Sequence, residues 1–175
     1  FLPAGFYYKT FMWPASFWKK YEFFIRHSAG LGKAPTKPDP DIYDHQYAHC
    51  DVLVIGGGIS GVIAAKLSAE KKLNTILLDD KKDLGGVSIY NIDDNFKIND
   101  QNVSKWLSNE IENLKKYPNL SIKTRTSLAA FHGYNYLLAK ENLTDHLSVN
   151  DRKDKIRQRL WKIRAKKVVI ATGAI

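Results

Sequence analysis

Residues 50–80 read CDVLVIGGGISGVIAAKLSAEKKLNTILLDD, and this segment is the strongest indication of the fold. Its opening part, residues 51–55, is a short apolar run rich in β-branched side chains, which is typical of a buried parallel strand. Glycines with the spacing G-x-G-x-x-G follow at once, and a helix of small residues comes next. Thr75–Leu78 is a second apolar run, and an acid ends it. This order predicts the βαβ unit of a Rossmann-like fold.

Each glycine of the motif has a physical task. Gly56 lets the chain leave the strand in a sharp turn, Gly58 lets the backbone approach a pyrophosphate, and Gly61 lets the helix pack closely on the sheet. The helix N-terminus adds free N–H groups and a partial positive charge. The acid that ends the second strand, Asp79, is expected to accept hydrogen bonds from an adenosine ribose.

Two later stretches are expected to complete this dinucleotide site. A glycine pair follows the acid and can bring the backbone close to the cofactor again, although an ordinary loop is the alternative. The last predicted strand ends in Ala-Thr-Gly, which can close the site. The predicted cofactor-binding residues are Gly56, Gly57, Gly58, Ile59, Ser60, Gly61, Asp79, Asp80, Gly86, Thr172 and Gly173.

The motif does not identify the cofactor, because it recognises the ADP half that NAD and FAD share. No Ser/His/Asp triad, carboxylate pair or reactive cysteine is recognisable beside it, so we predict no catalytic residue. His45, His49 and Cys50 lack a second ligand pair at zinc spacing, and we predict no metal site.

Downstream of residue 80 the pattern predicts an α/β domain with an insertion. An amphipathic helix is expected over residues 103–117, with Asn102 as its N-cap, and residues 120–124 alternate as a third parallel strand. The predicted order of helix, third strand, meander, last strand and Ala-Thr-Gly is typical of flavoproteins with two dinucleotide domains and favours FAD. The expected antiparallel β-meander comprises residues 128–132, 134–139 and 159–164, and residues 167–171 form the last parallel strand.

Upstream, residues 1–30 are unusually rich in aromatic side chains. We expect a helix from Pro14 to about His27 and an irregular linker over residues 33–44. The rings are expected to pack on the rest of their own subunit, on a partner subunit or on a membrane surface. The predicted organisation is an aromatic helix and linker over residues 1–48 and a dinucleotide-binding domain over residues 49–175. That domain is expected to be incomplete at its C-terminal end, within a longer polypeptide.

The formal net charge of +9 is concentrated late in the chain. Residues 151–167 contain nine Lys or Arg against two Asp, a local excess of seven positive charges. Apolar residues alternate with these charges, so a solvated face or an acidic partner surface is favoured over nucleic-acid binding. No apolar run approaches the ~18–20 residues of a membrane span, and the single Cys50 fits a cytoplasmic protein.

Several longer strings resemble one family. The segment GFYYKTFMWP at residues 5–14, AGLG at residues 29–32, and His49-Cys50 joined to the glycines resemble the alpha subunits of heterotetrameric sarcosine oxidases. So do NYL, TDHL, RQRLW and VVIATGAI, at residues 135–137, 144–147, 157–161 and 168–175. The resemblance covers nearly the whole chain. It departs at Gly133-Tyr134, where Asp-His is expected, and in a lysine-rich insert around residues 150–155.

This resemblance implies more than the residues establish. It implies an oxidase that demethylates sarcosine to glycine with oxygen, releases hydrogen peroxide and passes the one-carbon unit to tetrahydrofolate. It implies NAD on this alpha subunit, with FAD and FMN on the beta subunit, and gamma and delta subunits as further partners. The alternatives are a self-contained FAD-dependent oxidoreductase that binds FAD at this site and, third, a basic aromatic binding module.

Overall fold

The structure is a computed structural model that describes residues 14–30, 36–89 and 97–173. The chain divides into two compact units, Phe1–Pro40 and Asp41–Ile175. In the first unit a short 3-10 turn, Ala15–Phe17, leads into helix α1, Trp18–Ser28. The predicted helix is therefore present. The aromatic residues before Pro14 and the start of the predicted linker, up to residue 35, lie outside the described residues.

The second unit contains a six-stranded sheet, whose strands are β1 Ile42–Ile55, β2 Thr75–Leu78, β5 Leu120–Lys123, β6 Thr126–His132, β7 Tyr136–Asn142 and β8 Ile156–Ile170. Their order in the sheet is β5-β2-β1-β8-β7-β6. Strands β5, β2, β1 and β8 run parallel, whereas β7 and β6 continue the sheet as an antiparallel meander. This confirms the predicted Rossmann-like α/β class with its inserted meander. The other elements described in this unit are helix α2 Ile59–Glu70, the short strands β3 Lys97–Ile98 and β4 Gln101–Asn102, and helix α3 Val103–Leu114.

Two strands are longer than the sequence predicts. Strand β1 begins at Ile42, so the expected linker ends earlier, and β8 joins the predicted third meander strand to the final parallel strand. Both extensions have one cause, because β1 pairs with β8 from Ile42↔Ile156 to Ile55↔Ile170. Pairing with a distant segment satisfies the backbone hydrogen-bonding groups of these polar residues. The polar sequence alone does not indicate a strand.

Helix α3 begins where it is predicted and ends earlier. The Asn102 side chain accepts a hydrogen bond from the Ser104 amide at 3.0 Å, which confirms the predicted N-cap. The helix ends at Leu114, and turns carry the chain to Pro118. Strand β7 starts later than expected, since Tyr134 and Asn135 have positive φ and form the hairpin turn.

The sheet buries a different apolar layer on each face. One layer packs Val54 and Leu77 against Val62 of α2 and Leu107 of α3. The other contains only strand residues, such as Leu53, Leu78, Leu137 and Ile163, so the strands of the meander contribute to it. Within the described parts of the chain, no helix is long and apolar enough to cross a membrane.

Candidate dinucleotide-binding site

The glycine-rich loop lies at the carboxyl ends of β1, β2 and β8. Gly56 has φ of +103°, and its amide donates to the Leu78 carbonyl at 2.8 Å. A Cβ on Gly56 would lie 2.3 Å from the Ala171 carbonyl oxygen, and one on Gly61 would lie 1.8 Å from the Gly56 carbonyl oxygen. Neither position accepts a side chain without displacing backbone. The loop, the start of α2 and the end of β8 are therefore packed in direct contact.

Gly58 differs from these two glycines. It is the N-cap of α2, and its carbonyl accepts the first helical hydrogen bond, from Val62 at 2.9 Å. A Cβ added there would meet nothing within 4 Å. The first-turn amides, including those of Ile59 and Ser60, have no intrahelical acceptor. No side chain caps this helix end either. This is an open cradle of N–H groups, which suits a pyrophosphate.

Asp79 is buried directly beneath the loop, with only 7% of its surface exposed. Its Oδ2 accepts a hydrogen bond from the Gly57 amide at 2.6 Å, and its Oδ1 accepts one from the Lys81 amide at 2.7 Å. The acid thus joins the glycine loop to the turn after β2. Its predicted contact with a ribose stays a prediction. The neighbouring predicted residue, Asp80, is exposed.

The predicted Gly86 also lies at the loop. The amide of Gly85 donates to the Gly57 carbonyl at 2.7 Å, and a Cβ on Gly86 would lie 3.5 Å from the Gly58 Cα. Leu84, which the sequence analysis did not identify, is buried against Gly57: a Cβ on Gly57 would lie 2.4 Å from Leu84 Cδ2. The sequence feature that could have indicated Leu84 is an apolar residue directly before a glycine pair.

The Ala-Thr-Gly segment completes the cluster. The Ala171 amide donates to the Ile55 carbonyl at 2.7 Å, which ends the β1–β8 ladder beside Gly56. Thr172 and Gly173 follow and are exposed, and Gly173 has φ of +75°. The structure therefore places every predicted site residue around one loop or on the strand ends that adjoin it.

A polar cleft of about 370 Å³ lies beside Asp80. It was not predictable from the sequence, because its walls come from the turn after β2, the residue before β6, and the end of β7 with the loop that follows. Its lining residues are Asp80, Lys81, Lys82, Arg125, Asn142, Asp145 and His146. Hydrogen bonds from Arg157 and Gln158 hold the pKa of Asp145 below its ordinary value, so this carboxylate is charged and already partnered.

The basic segment carries less free charge than its composition suggests. Arg157 pairs with Asp41 at 2.6 Å and also with Asp145, and Lys166 pairs with Asp51 at 2.8 Å. Arg152 and Arg159 have acidic partners too, in Asp41 and Asp44. Four of the nine Lys and Arg residues in this segment are therefore paired with acids of the same unit.

The fold and the glycine loop define a Rossmann-like dinucleotide-binding domain. The family model described as FAD dependent oxidoreductase matches residues 51–160, which include the loop, both acids and most of the meander. The chain belongs to the FAD-dependent oxidoreductase family.

Curated relatives confirm the resemblance that the sequence predicted. The chain is 40% identical over 175 residues to the sarcosine oxidase subunit alpha of Rhizobium meliloti (strain 1021), an alignment that covers 99% of this chain and 17% of the relative. It is 33% identical over 146 residues to the sarcosine oxidase subunit alpha of Corynebacterium sp. (strain U-96), which covers 83% of this chain and 15% of that protein. The chain thus spans less than a fifth of these relatives.

A solved structure agrees with this fold. The L-proline dehydrogenase from P. horikoshii matches with a TM-score of 0.54 and 25% identity. The match covers 82% of this chain and 26% of that chain.

Proposed function

We propose that this chain is the adenine-dinucleotide-binding part of the alpha subunit of a multi-subunit sarcosine oxidase. The observation that carries the proposal is an open glycine, Gly58, at the N-terminus of α2, in a chain 40% identical to such a subunit over 99% of its length. The intact enzyme would demethylate sarcosine oxidatively to glycine and yield hydrogen peroxide and methylene-tetrahydrofolate. Beta, gamma and delta subunits would be its partners, in the cytoplasm.

In this proposal the chain's own residues bind and orient the cofactor. The amides that follow Gly58 hold the pyrophosphate, and Asp79 and Asp80 bind the adenosine end of the cofactor. Gly86 and Thr172 border the same loop, and Gly173 follows; the two glycines have no side chain that would fill the approach. The bound dinucleotide supplies the redox chemistry, and no residue of this chain is assigned a catalytic role.

Two observations point to different dinucleotides. The resemblance implies NAD on the alpha subunit, with FAD and FMN on the beta subunit. The family match favours FAD at this site, in a self-contained flavoenzyme. We keep NAD as the first candidate, because the alpha-subunit relative matches 99% of this chain, whereas the family model ends at residue 160.

The binding site is tested by Gly58→Ala. Gly58 has φ of −69° and open space at its Cβ position, so alanine fits the folded protein. The new methyl group occupies the approach of the pyrophosphate, and we expect the affinity for ADP to fall about tenfold or more with an unchanged melting temperature. Gly133→Ala is the matched control, because its Cβ also meets nothing within 4 Å, far from the loop. Equal ADP affinity in both variants would refute the site.

The cofactor is identified by what the intact alpha subunit releases. The subunit is separated from its partners and denatured, and the supernatant is analysed by absorbance and chromatography. A nicotinamide dinucleotide without flavin supports NAD. Stoichiometric FAD from this subunit overturns NAD and favours the self-contained flavoenzyme.

A further inference from the structure

Strands β1, β8 and β7 pair side by side and have two different faces. On one face Leu137, Trp161 and Ile163 are buried in an apolar layer. Side chains alternate along a strand, so the residues between these point to the opposite face. The pairing register puts two rows of residues across that face: Tyr47, Lys162 and Leu138 in one row, and His49, Arg164 and Tyr136 in the next. We call these two rows the outer basic face.

The outer basic face carries positive charge without a compensating acid. Lys162 Nζ donates a hydrogen bond to the Tyr47 hydroxyl at 3.3 Å. Arg164 donates one to the Tyr134 carbonyl at 3.0 Å. Both acceptors are uncharged, and within the described residues neither cation has a carboxylate at ion-pair distance. Lys162 and Arg164 are two positions apart on one strand, ~7 Å, so their like charges repel.

The neighbouring cations of the same strand, in contrast, are paired with acids. Arg159 pairs with Asp44 at 2.8 Å, and Lys166 pairs with Asp51 at 2.8 Å. The fold therefore supplies carboxylates to cations on either side of Lys162 and Arg164, but not to these two. The positive charge that is left on the outer basic face is complementary to a surface that carries Asp and Glu side chains.

Aromatic rings accompany the two cations. Lys162 Nζ lies 5.0 Å from the centroid of the Tyr47 ring, and the guanidinium carbon of Arg164 lies 5.0 Å from the centroid of the Tyr136 ring. Tyrosine and arginine are enriched at protein–protein interfaces. A base of a nucleic acid would stack on the face of such a ring, and here a cation already lies over each ring. These contacts favour an acidic protein surface over a nucleic acid.

We infer that the outer basic face is the docking surface for an acidic surface of another subunit. The inference rests on the proposed function, since that proposal includes beta, gamma and delta subunits. Carboxylates of the partner pair with Lys162 and Arg164, and Tyr47 and Tyr136 supply apolar contact area around them. In the described structure residues 42–49 of β1 pair with β8 alone, so the same partner can cover this open strand edge.

The first test locates the carboxylates in the assembled complex. The full-length alpha subunit is co-expressed with the beta, gamma and delta subunits, and the complex is treated with a carbodiimide. This reagent joins a lysine amine directly to a carboxylate that it contacts, and mass spectrometry of the digest identifies the linked residues. We expect Lys162 to be linked to an Asp or Glu of another subunit. In the isolated alpha subunit, the control, we expect Lys162 to stay unlinked.

The second test reverses the charge of the face. Lys162→Glu combined with Arg164→Glu should weaken assembly about tenfold or more, because two attractions become repulsions. The matched control combines Lys105→Glu with Lys153→Glu, which changes two exposed lysines elsewhere, and should alter the affinity less than about twofold. Sedimentation at low and high salt measures assembly, and high salt should reduce the difference between wild type and variant. An unchanged affinity for ADP shows that the variant is folded.

The results separate this inference from the proposed function. Links from Lys162 to acids of the alpha subunit itself would overturn the inference, because the same polypeptide would then cover the face. An assembled complex in which Lys162 forms no link would overturn it too, as would equal weakening by both double variants. Binding of nucleic acid that the charge reversal abolishes, with assembly unchanged, would assign the face to a nucleic acid.

If the charge-reversed variant does not fold, the links formed in the wild-type complex decide alone. Folded subunits that form no complex with one another would refute the proposed function, and this inference with it.

Discussion

The two halves of strand β1 have opposite environments. Residues 42–49 are mostly exposed and, in the described structure, pair with β8 alone, whereas residues 52–55 are buried between β8 and β2. The second half has the apolar sequence expected of a central parallel strand. The first half is a strand because a distant segment pairs with it, which shows that pairing can override a polar sequence.

A change of phase separates the two halves. Cys50 and Leu53 belong to the same apolar layer although they are three residues apart, so the alternation of faces breaks between them. The amides of Asp51 and Val52 both donate to the Asn74 carbonyl, at 2.8 and 3.2 Å. Lys166 pairs with Asp51 at the same level of the sheet.

The buried half leads into the glycine loop, where we expect the largest effect of a single methyl group. Gly61→Ala would place a Cβ 1.8 Å from the Gly56 carbonyl oxygen. The backbone must shift to relieve this clash, and we expect the free energy of unfolding to fall by about 3 kcal/mol. Urea denaturation measures the loss. Gly133→Ala, in the β6–β7 hairpin, is the control and should change stability little. An equal effect in both variants would contradict the tight packing described for the loop.

A second difference is expected between side chains in the two halves of β1. Leu53 is fully buried, and Leu53→Ala should lower the free energy of unfolding by about 2–5 kcal/mol. Tyr47 is 66% exposed and contacts Lys162, so Tyr47→Ala should cost less than about 1 kcal/mol. Thermal and urea unfolding of both variants check the contrast. Similar losses would mean that the outer half of β1 carries a buried core of its own.

The smallest effect is the pH dependence of stability that comes from the ion pairs in and beside the polar half of β1. The side-chain hydrogen bond from Arg159 lowers the pKa of Asp44, and the one from Arg157 lowers the pKa of Asp145. A lowered acid pKa stabilises the fold above the unfolded-state value, near pH ~4, and this contribution disappears as the pH falls through the folded-state pKa. We therefore expect Asp145→Asn to lose less stability than wild type between about pH 7 and about pH 3.

Unfolding curves at the two pH values measure this difference. Because the side chains of Asp44 and Asp145 are partly exposed, high salt should reduce the effect. Parallel losses of stability in wild type and Asp145→Asn would show that this ion pair does not contribute to the pH dependence.

The sequence predicts the parts of this molecule that local pattern determines. The apolar runs, the glycine spacing and the Asn102 cap are local signals, and the structure places all three as expected. The outer half of β1 and the unbroken β8 were not predictable, because their strand state depends on mutual pairing across more than a hundred residues. The cleft beside Asp80 combines three separate segments, and no spacing rule identifies such a combination.

Strand β8 has a mechanical consequence. It runs for 15 residues without interruption, roughly 50 Å, from the polar excursion after β7 to the loop beside Gly56. Pairing with β1 along this length restricts its bending, although the register of the pairing shifts between Ile42 and Tyr43. A partner that displaces the Ile156 end of β8 would therefore also displace the strand end beside Gly56. The affinity of the glycine loop for a nucleotide would then change with that displacement.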